Sequence, residues 1–80
     1  EGTRHRYVYA IALNDSGDRD AAIALLRTLL RAAPEDPDIL LALVTYCQQA
    51  KRLPEAKRYA ARLLKLAPND AGIRQLYDSL

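Results

Sequence analysis

The chain has no tryptophan, no phenylalanine and no methionine, and its 80 residues include one cysteine, one histidine, three glycines and four prolines. Each scarcity excludes something. The lone Cys47 allows no internal disulfide, and one cysteine with one histidine cannot complete a structural zinc site, so neither a redox compartment nor a bound metal is indicated. The glycines are isolated, which leaves no glycine-rich phosphate loop. With five tyrosines as the only aromatics, leucine, alanine and tyrosine must fill the core. No run of about 18 apolar residues exists to span a bilayer. The opening EGTRHRYVYA lacks both an initiator Met and a signal-type apolar stretch, which suggests a processed chain or a piece of a longer protein. A net charge of +2 does not demand a nucleic-acid partner. The expectation is one soluble domain, cytoplasmic or periplasmic, burying about 60–65% of its unfolded surface.

What the sequence does have is a repeat. LLRAAPEDPD at 29–38 returns as LLKLAPNDAG at 63–72. Leu29 and Leu63, Leu30 and Leu64, Ala33 and Ala67, Pro34 and Pro68, and Asp36 and Asp70 are all 34 apart. The local pattern around these pairs is helical. Ala22, Leu25, Leu26, Leu29, Leu30 and Ala33 recur at three and four, as do Ala56, Tyr59, Ala60, Leu63, Leu64 and Ala67. Leu40, Leu43, Val44 and Cys47, and nearer the start Tyr9, Ala10 and Leu13, give two further apolar faces. Nowhere does sustained apolar–polar alternation argue for a strand.

The breaks fall as regularly as the faces. Gly17 supplies a left-handed turn and Asp18 an N-cap. Pro34 ends a helix, since the residue before a proline is pushed out of helical geometry. Asp36-Pro37 caps and opens the next, Pro54 opens a fourth, Pro68 ends it, and Asn69 or Asp70 caps a fifth. The spacing predicts an all-α fold of antiparallel helix–turn–helix units, with helices near 3–16, 19–33, 37–50, 54–67 and 71–79. Lys51 stands one full period after Gly17 and is expected to occupy the same strained turn.

A helix pair recurring at this period is the arithmetic of the tetratricopeptide repeat, and the chain resembles that family. Ala10, Gly17, Ala22 and Pro34 stand at the family's small, glycine, alanine and proline places in a first unit, 3–36. Val44, Ala56 and Pro68 do so in a second, 37–70, with Lys51 in place of the glycine and Leu40 in place of a common tryptophan. Residues 71–80 read as a closing helix. The chain is also similar to the C-terminal repeats of bacterial proteins, including some appended to periplasmic multihaem cytochromes. No haem-attachment motif occurs, so no cofactor is expected.

The resemblance implies a non-catalytic protein-interaction or assembly module, binding a peptide or partner helix along a groove formed by the first helix of each pair. Carried over position by position, that groove takes Arg4, Tyr7, Ile11, Asn14 and Asp15, then Asp38, Leu41, Thr45, Gln48 and Gln49, then Gly72, Gln75 and Ser79. The lysines, asparagines and arginine with which some family members grip a C-terminal carboxylate are absent: Tyr7, Ile11, Ala42, Gly72 and Leu76 stand at those places.

Little else suggests chemistry. His5 lies near the terminus between two arginines, Cys47 sits on an apolar face, and Asp18, Asp20, Glu35, Asp36, Asp38 and Asp70 cluster at helix starts, where the helix dipole favours them. No enzyme is indicated. The stretch 51–65 carries six basic residues against Glu55. From it, Lys51, Arg58, Arg62 and Lys65 form a candidate basic face that could meet an anionic surface. Only Tyr59 interleaves with it, which argues against single-stranded nucleic acid. A further alternative is a spacer or a homodimer formed through exposed stack ends.

Overall fold

A computed structural model describes residues 2–80, which form five helices: α1 Gly2–Asp15, α2 Arg19–Ala32, α3 Pro37–Gln49, α4 Leu53–Leu66 and α5 Ala71–Asp78. No strand occurs among the described residues. Each helix packs chiefly on its neighbours in sequence, α1 on α2, α2 on α3, α3 on α4 and α4 on α5.

The repeat of the sequence is also a repeat of backbone geometry. Gly17 and Lys51 both have positive φ, 97° and 61°. The next residues, Asp18 and Arg52, have φ/ψ of −100°/65° and −95°/64°. Ala33 and Ala67 end their helices at −137°/71° and −138°/70°, values outside the helical region that the following prolines require. Asp36 and Asp70, both extended, cap α3 and α5. Hydrogen bonds repeat too: the Asp18 and Arg52 N–H groups donate to the carbonyls of Leu13 and Cys47 at 2.9 and 2.8 Å. Those of Asp36 and Asp70 donate to Ala33 and Ala67, both at 3.1 Å.

Side-chain caps follow the sequence where it offers an acid. Asp18 accepts from the Ala21 N–H at 3.3 Å, Asp36 from Asp38 at 2.9 Å and Asp70 from Ile73 at 3.1 Å. Such caps contribute about 1 kcal/mol each. Arg52 holds the same place before α4 but has no acceptor to offer, so α4 begins at Leu53 uncapped, with Pro54 in its first turn.

The small residues of the repeat, Ala10, Ala22, Val44 and Ala56, are completely buried where paired helices approach closely, together with Leu26, Leu40, Leu43, Cys47 and Ala60. One expected core position is corrected. Tyr9 is 61% exposed, beside Val8 at 59%. The cause is visible at Leu43, the equivalent residue of the next repeat, which is fully buried. α3 is covered on both sides, by α2 and α4, whereas α1 packs chiefly on α2. The positions of α1 that face its own partner, such as Ala10, are therefore buried, and those facing the other way are open.

The same comparison explains α5, which packs chiefly on α4. Ile73 and Tyr77, at the places of Ile39 and Leu43, are half-buried against the core. Arg74 and Asp78, at the places of the fully buried Leu40 and Val44, are exposed. The side of α5 that carries Arg74 and Asp78 is therefore polar.

Candidate functional site

α1 and α3 meet along a groove of about 230 Å³ lined by Tyr7, Ile11, Asp38, Leu41, Ala42, Thr45 and Tyr46. Helical spacing brings them there: Tyr7 and Ile11 are one turn apart on α1, and Asp38, Leu41 and Thr45 climb α3 by three and four. Leu41, 47% exposed in the middle of α3, presents apolar surface that the fold leaves uncovered. Tyr7 and Ile11 are half-buried and rest on the core.

One rim is ionic. Arg4 Nη1 lies 3.5 Å from Asp38 Oδ2, and its guanidinium is 5.5 Å from the centre of the Tyr7 ring. Both Arg4 and Asp38 are well exposed, so the pair contributes little to stability. At the other end Tyr46 is buried in α3. Burial first, then Asp15 and Tyr7, push the Tyr46 hydroxyl above its ordinary value of 10.0, so it is a neutral hydrogen-bonding group at physiological pH.

The remaining groove positions expected from sequence lie outside this lining. Asn14 turns toward the α1–α2 connection, where its side-chain oxygen accepts from Arg19 Nε at 3.2 Å. Gln48 and Gln49 are exposed at the end of α3. On α5, Gln75 is exposed, Gly72 lies in the first turn, and the Ser79 hydroxyl donates to the Leu76 carbonyl at 2.8 Å. Ala42 and Tyr46 join the lining although the position-by-position carry-over omits them; Ala42 lies one turn after Asp38, and Tyr46 one turn after Ala42.

The basic run of 51–65 divides in the structure. Arg52 Nε donates to Glu55 Oε1 at 2.8 Å, which raises the Arg52 pKa further above its ordinary value, and Arg52 Nη1 lies 3.8 Å from Asp20. Lys57 stands 5.0 Å over the Tyr77 ring. Lys51 is exposed in its turn, at the opposite end of α4 from Arg62 and Lys65 and roughly 15–20 Å from them at 1.5 Å of rise per residue. Arg58 is exposed on α4. Arg62 Nη2 donates to the Pro34 carbonyl at 2.9 Å, tying α4 to the α2–α3 connection.

Cys47 is fully buried in α3. Burial, and then Glu55, push its thiol above the ordinary 9.0, while Arg52, Arg27 and Arg58 pull the other way. A protonated, buried thiol is a packing group and not a nucleophile. No cluster of three or more His, Cys, Asp or Glu side chains suited to a metal occurs among the described residues, and no described helix is long and apolar enough to cross a membrane.

Comparison with curated proteins and with solved structures gives no match. Comparison with family models matches the tetratricopeptide repeat over residues 13–80. Repeats of this family are generally non-catalytic protein-interaction scaffolds. With its regular period, its buried small residues and its paired turns, the chain belongs to the tetratricopeptide repeat family.

Proposed function

We propose that the chain is a non-catalytic binding module that takes a peptide segment or helix of another protein along the α1–α3 groove. The observation that carries this is Leu41, nearly half exposed at the centre of a groove whose other walls are Tyr7, Ile11 and Thr45. An apolar side chain of the partner seated against Leu41 and Ile11 would supply the anchor, since a few buried apolar or aromatic contacts dominate such interfaces. Asp38, Thr45 and the Tyr46 hydroxyl offer polar groups that fix orientation.

The test is capture of partner protein by the immobilised chain, with Leu41→Ser beside Arg58→Glu/Arg62→Glu. Loss of capture in Leu41→Ser with an unchanged helical spectrum supports the groove. Capture that survives Leu41→Ser and disappears in the arginine variant moves the site to the α2–α4 side.

A second reading rests on Val8 and Tyr9, the exposed outer side of α1. Two copies could pair through this side, whereas the outer side of α5 carries Arg74 and Asp78. Sedimentation at several concentrations, with Val8→Ser/Tyr9→Ser as the control, separates self-association from partner binding.

A further inference from the structure

On the side of the molecule away from the groove, α2 and α4 enclose a cleft of about 290 Å³ lined by Arg27, Leu30, Arg31, Pro34, Tyr59 and Arg62. Leu30 and Tyr59 are buried and make its floor. Three of the six lining residues are arginines, brought from two helices, and no acid lines the cleft. Arg27 is partly engaged by Glu55, at 3.7 Å, but that carboxylate also holds Arg52 at the shorter distance of 2.8 Å. Arg62 spends one nitrogen on the Pro34 carbonyl. Arg31 makes no ion pair and no side-chain hydrogen bond among the described residues. Three guanidinium groups held together with one free of any partner repel each other, and an anion placed among them relieves that repulsion.

We propose that this cleft binds a phosphomonoester dianion, carried either by a modified side chain of a partner protein or by a small molecule. A phosphomonoester has about −1.5 to −2 charge at pH 7 and three strong acceptor oxygens. Planar guanidinium forks match those oxygens bidentately. Leu30, Pro34 and the Tyr59 ring give the apolar body behind the phosphate a surface to rest on. A nucleic-acid backbone fits less well, because beside Arg62 the basic residues continue only as far as Arg58 and Lys65, with Glu35 lying next to Arg62 and Lys65. Arg52 and Lys57 are engaged with Glu55 and Tyr77, and Lys51 lies at the far end of α4. This inference does not depend on the α1–α3 groove.

The experiment is a titration of the chain with phenyl phosphate at constant ionic strength, following the arginine side-chain NMR signals, with phenyl sulfate as the monoanion of the same shape. Saturable shifts are expected at Arg27, Arg31, Arg62 and Tyr59, at least several-fold tighter for the phosphate. Arg31→Gln should weaken binding by on the order of tenfold or more, the usual size of one lost charged hydrogen bond. Arg58→Gln, the same charge change outside the cleft, should leave it unaltered. Binding should weaken from pH 7.5 to pH 5 as the phosphate, whose second pKa is about 6, gains a proton. Arginine does not titrate in that range. A phosphoserine or phosphotyrosine peptide that binds at least tenfold tighter than phenyl phosphate identifies a protein source, and equal binding a small molecule. Unsaturable shifts, equal response to phenyl sulfate, preferential binding of an oligonucleotide, or an Arg31→Gln variant with native helicity and undiminished binding would each overturn the proposal.

Discussion

Gly17 and Lys51 hold the same left-handed backbone at equivalent turns of successive repeats, and the N–H groups of the two donate to the carbonyls of Asn14 and Gln48, both at 3.0 Å. One residue is suited to that conformation and the other is not. A Cβ added at Gly17 would meet nothing within 4 Å, so the cost of a side chain there is backbone strain alone. Gly17→Ala is expected to destabilise by about 1 kcal/mol, and Lys51→Gly to stabilise by roughly 0.5 kcal/mol once the chain entropy of glycine is set against the relieved strain. Urea unfolding of the two variants checks both signs; a Lys51→Gly variant less stable than the parent contradicts the second.

Leu29 and Leu63 are each 2% exposed at matching places in α2 and α4. Alanine at either should cost about 2–4 kcal/mol. A domain of this size has little more to lose, so both variants should be partly unfolded near 37 °C by circular dichroism. An unchanged unfolding midpoint for either would contradict the shared core role.

Tyr7 and Leu41 also occupy equivalent places in successive repeats, yet they should not respond alike. Leu41 contributes little to the core, and Leu41→Ser should change stability by less than about 0.5 kcal/mol. Tyr7 is half-buried, packs against the core and carries Arg4 over its ring, so Tyr7→Ser should cost about 1–2 kcal/mol. Denaturation midpoints of the two variants give the comparison; equal effects would place Tyr7 outside the core.

The raised pKa of Cys47 makes stability depend on alkaline pH. Folding holds the thiol protonated, so above the ordinary thiol value of 9.0 the unfolded chain releases a proton that the native chain keeps. Stability from this group is fully present below that value and is lost as pH rises through the folded pKa. Burial of Tyr46 acts in the same direction above 10.0. Between pH 7 and pH 10 the urea midpoint should fall, and by less in Cys47→Ala. A parent and variant with the same alkaline slope would remove Cys47 as the cause. At neutral pH the parent thiol should react with a disulfide reagent only as fast as the domain opens.

Most of the fold is legible in the sequence because its signals are local. The apolar spacing, the prolines after Ala33 and Ala67, and the acids at 18, 36 and 70 each act within one turn of helix. Tyr9 misleads because its spacing is as helical as that of Leu43, and only a neighbouring helix decides whether such a position is covered. The groove is legible as far as Tyr7, Ile11, Asp38, Leu41 and Thr45, which follow from register along two helices. Asn14 departs from it through Arg19, whose bond to it depends on the path of the turn. The arginine cleft is the least legible, since it joins Arg27 and Arg31 to Arg62 across two helices. Along one helix, the charges of 51–65 look like a continuous face. Their partners Glu55, Asp20 and Tyr77 appear only in three dimensions. The repeat gives no hint of the cleft, because the equivalents of Arg27, Arg31 and Arg62 are Ala61, Lys65 and Thr28.

Each helix rests chiefly on the helices before and after it, and among the described residues no extensive packing joins α1 to α5 at the two ends. Force applied at those ends therefore meets the structure one layer at a time. α5, the shortest helix and one without a single fully buried residue, would leave first and take the support of α4 with it. The α2–α3 junction is the weakest of those that remain, so α1–α2 and α3–α4 would part there next, each as an intact helix pair. Under tension the molecule behaves as a short ratchet of graded catches, lengthening in steps where a domain with its ends tied together would break all at once.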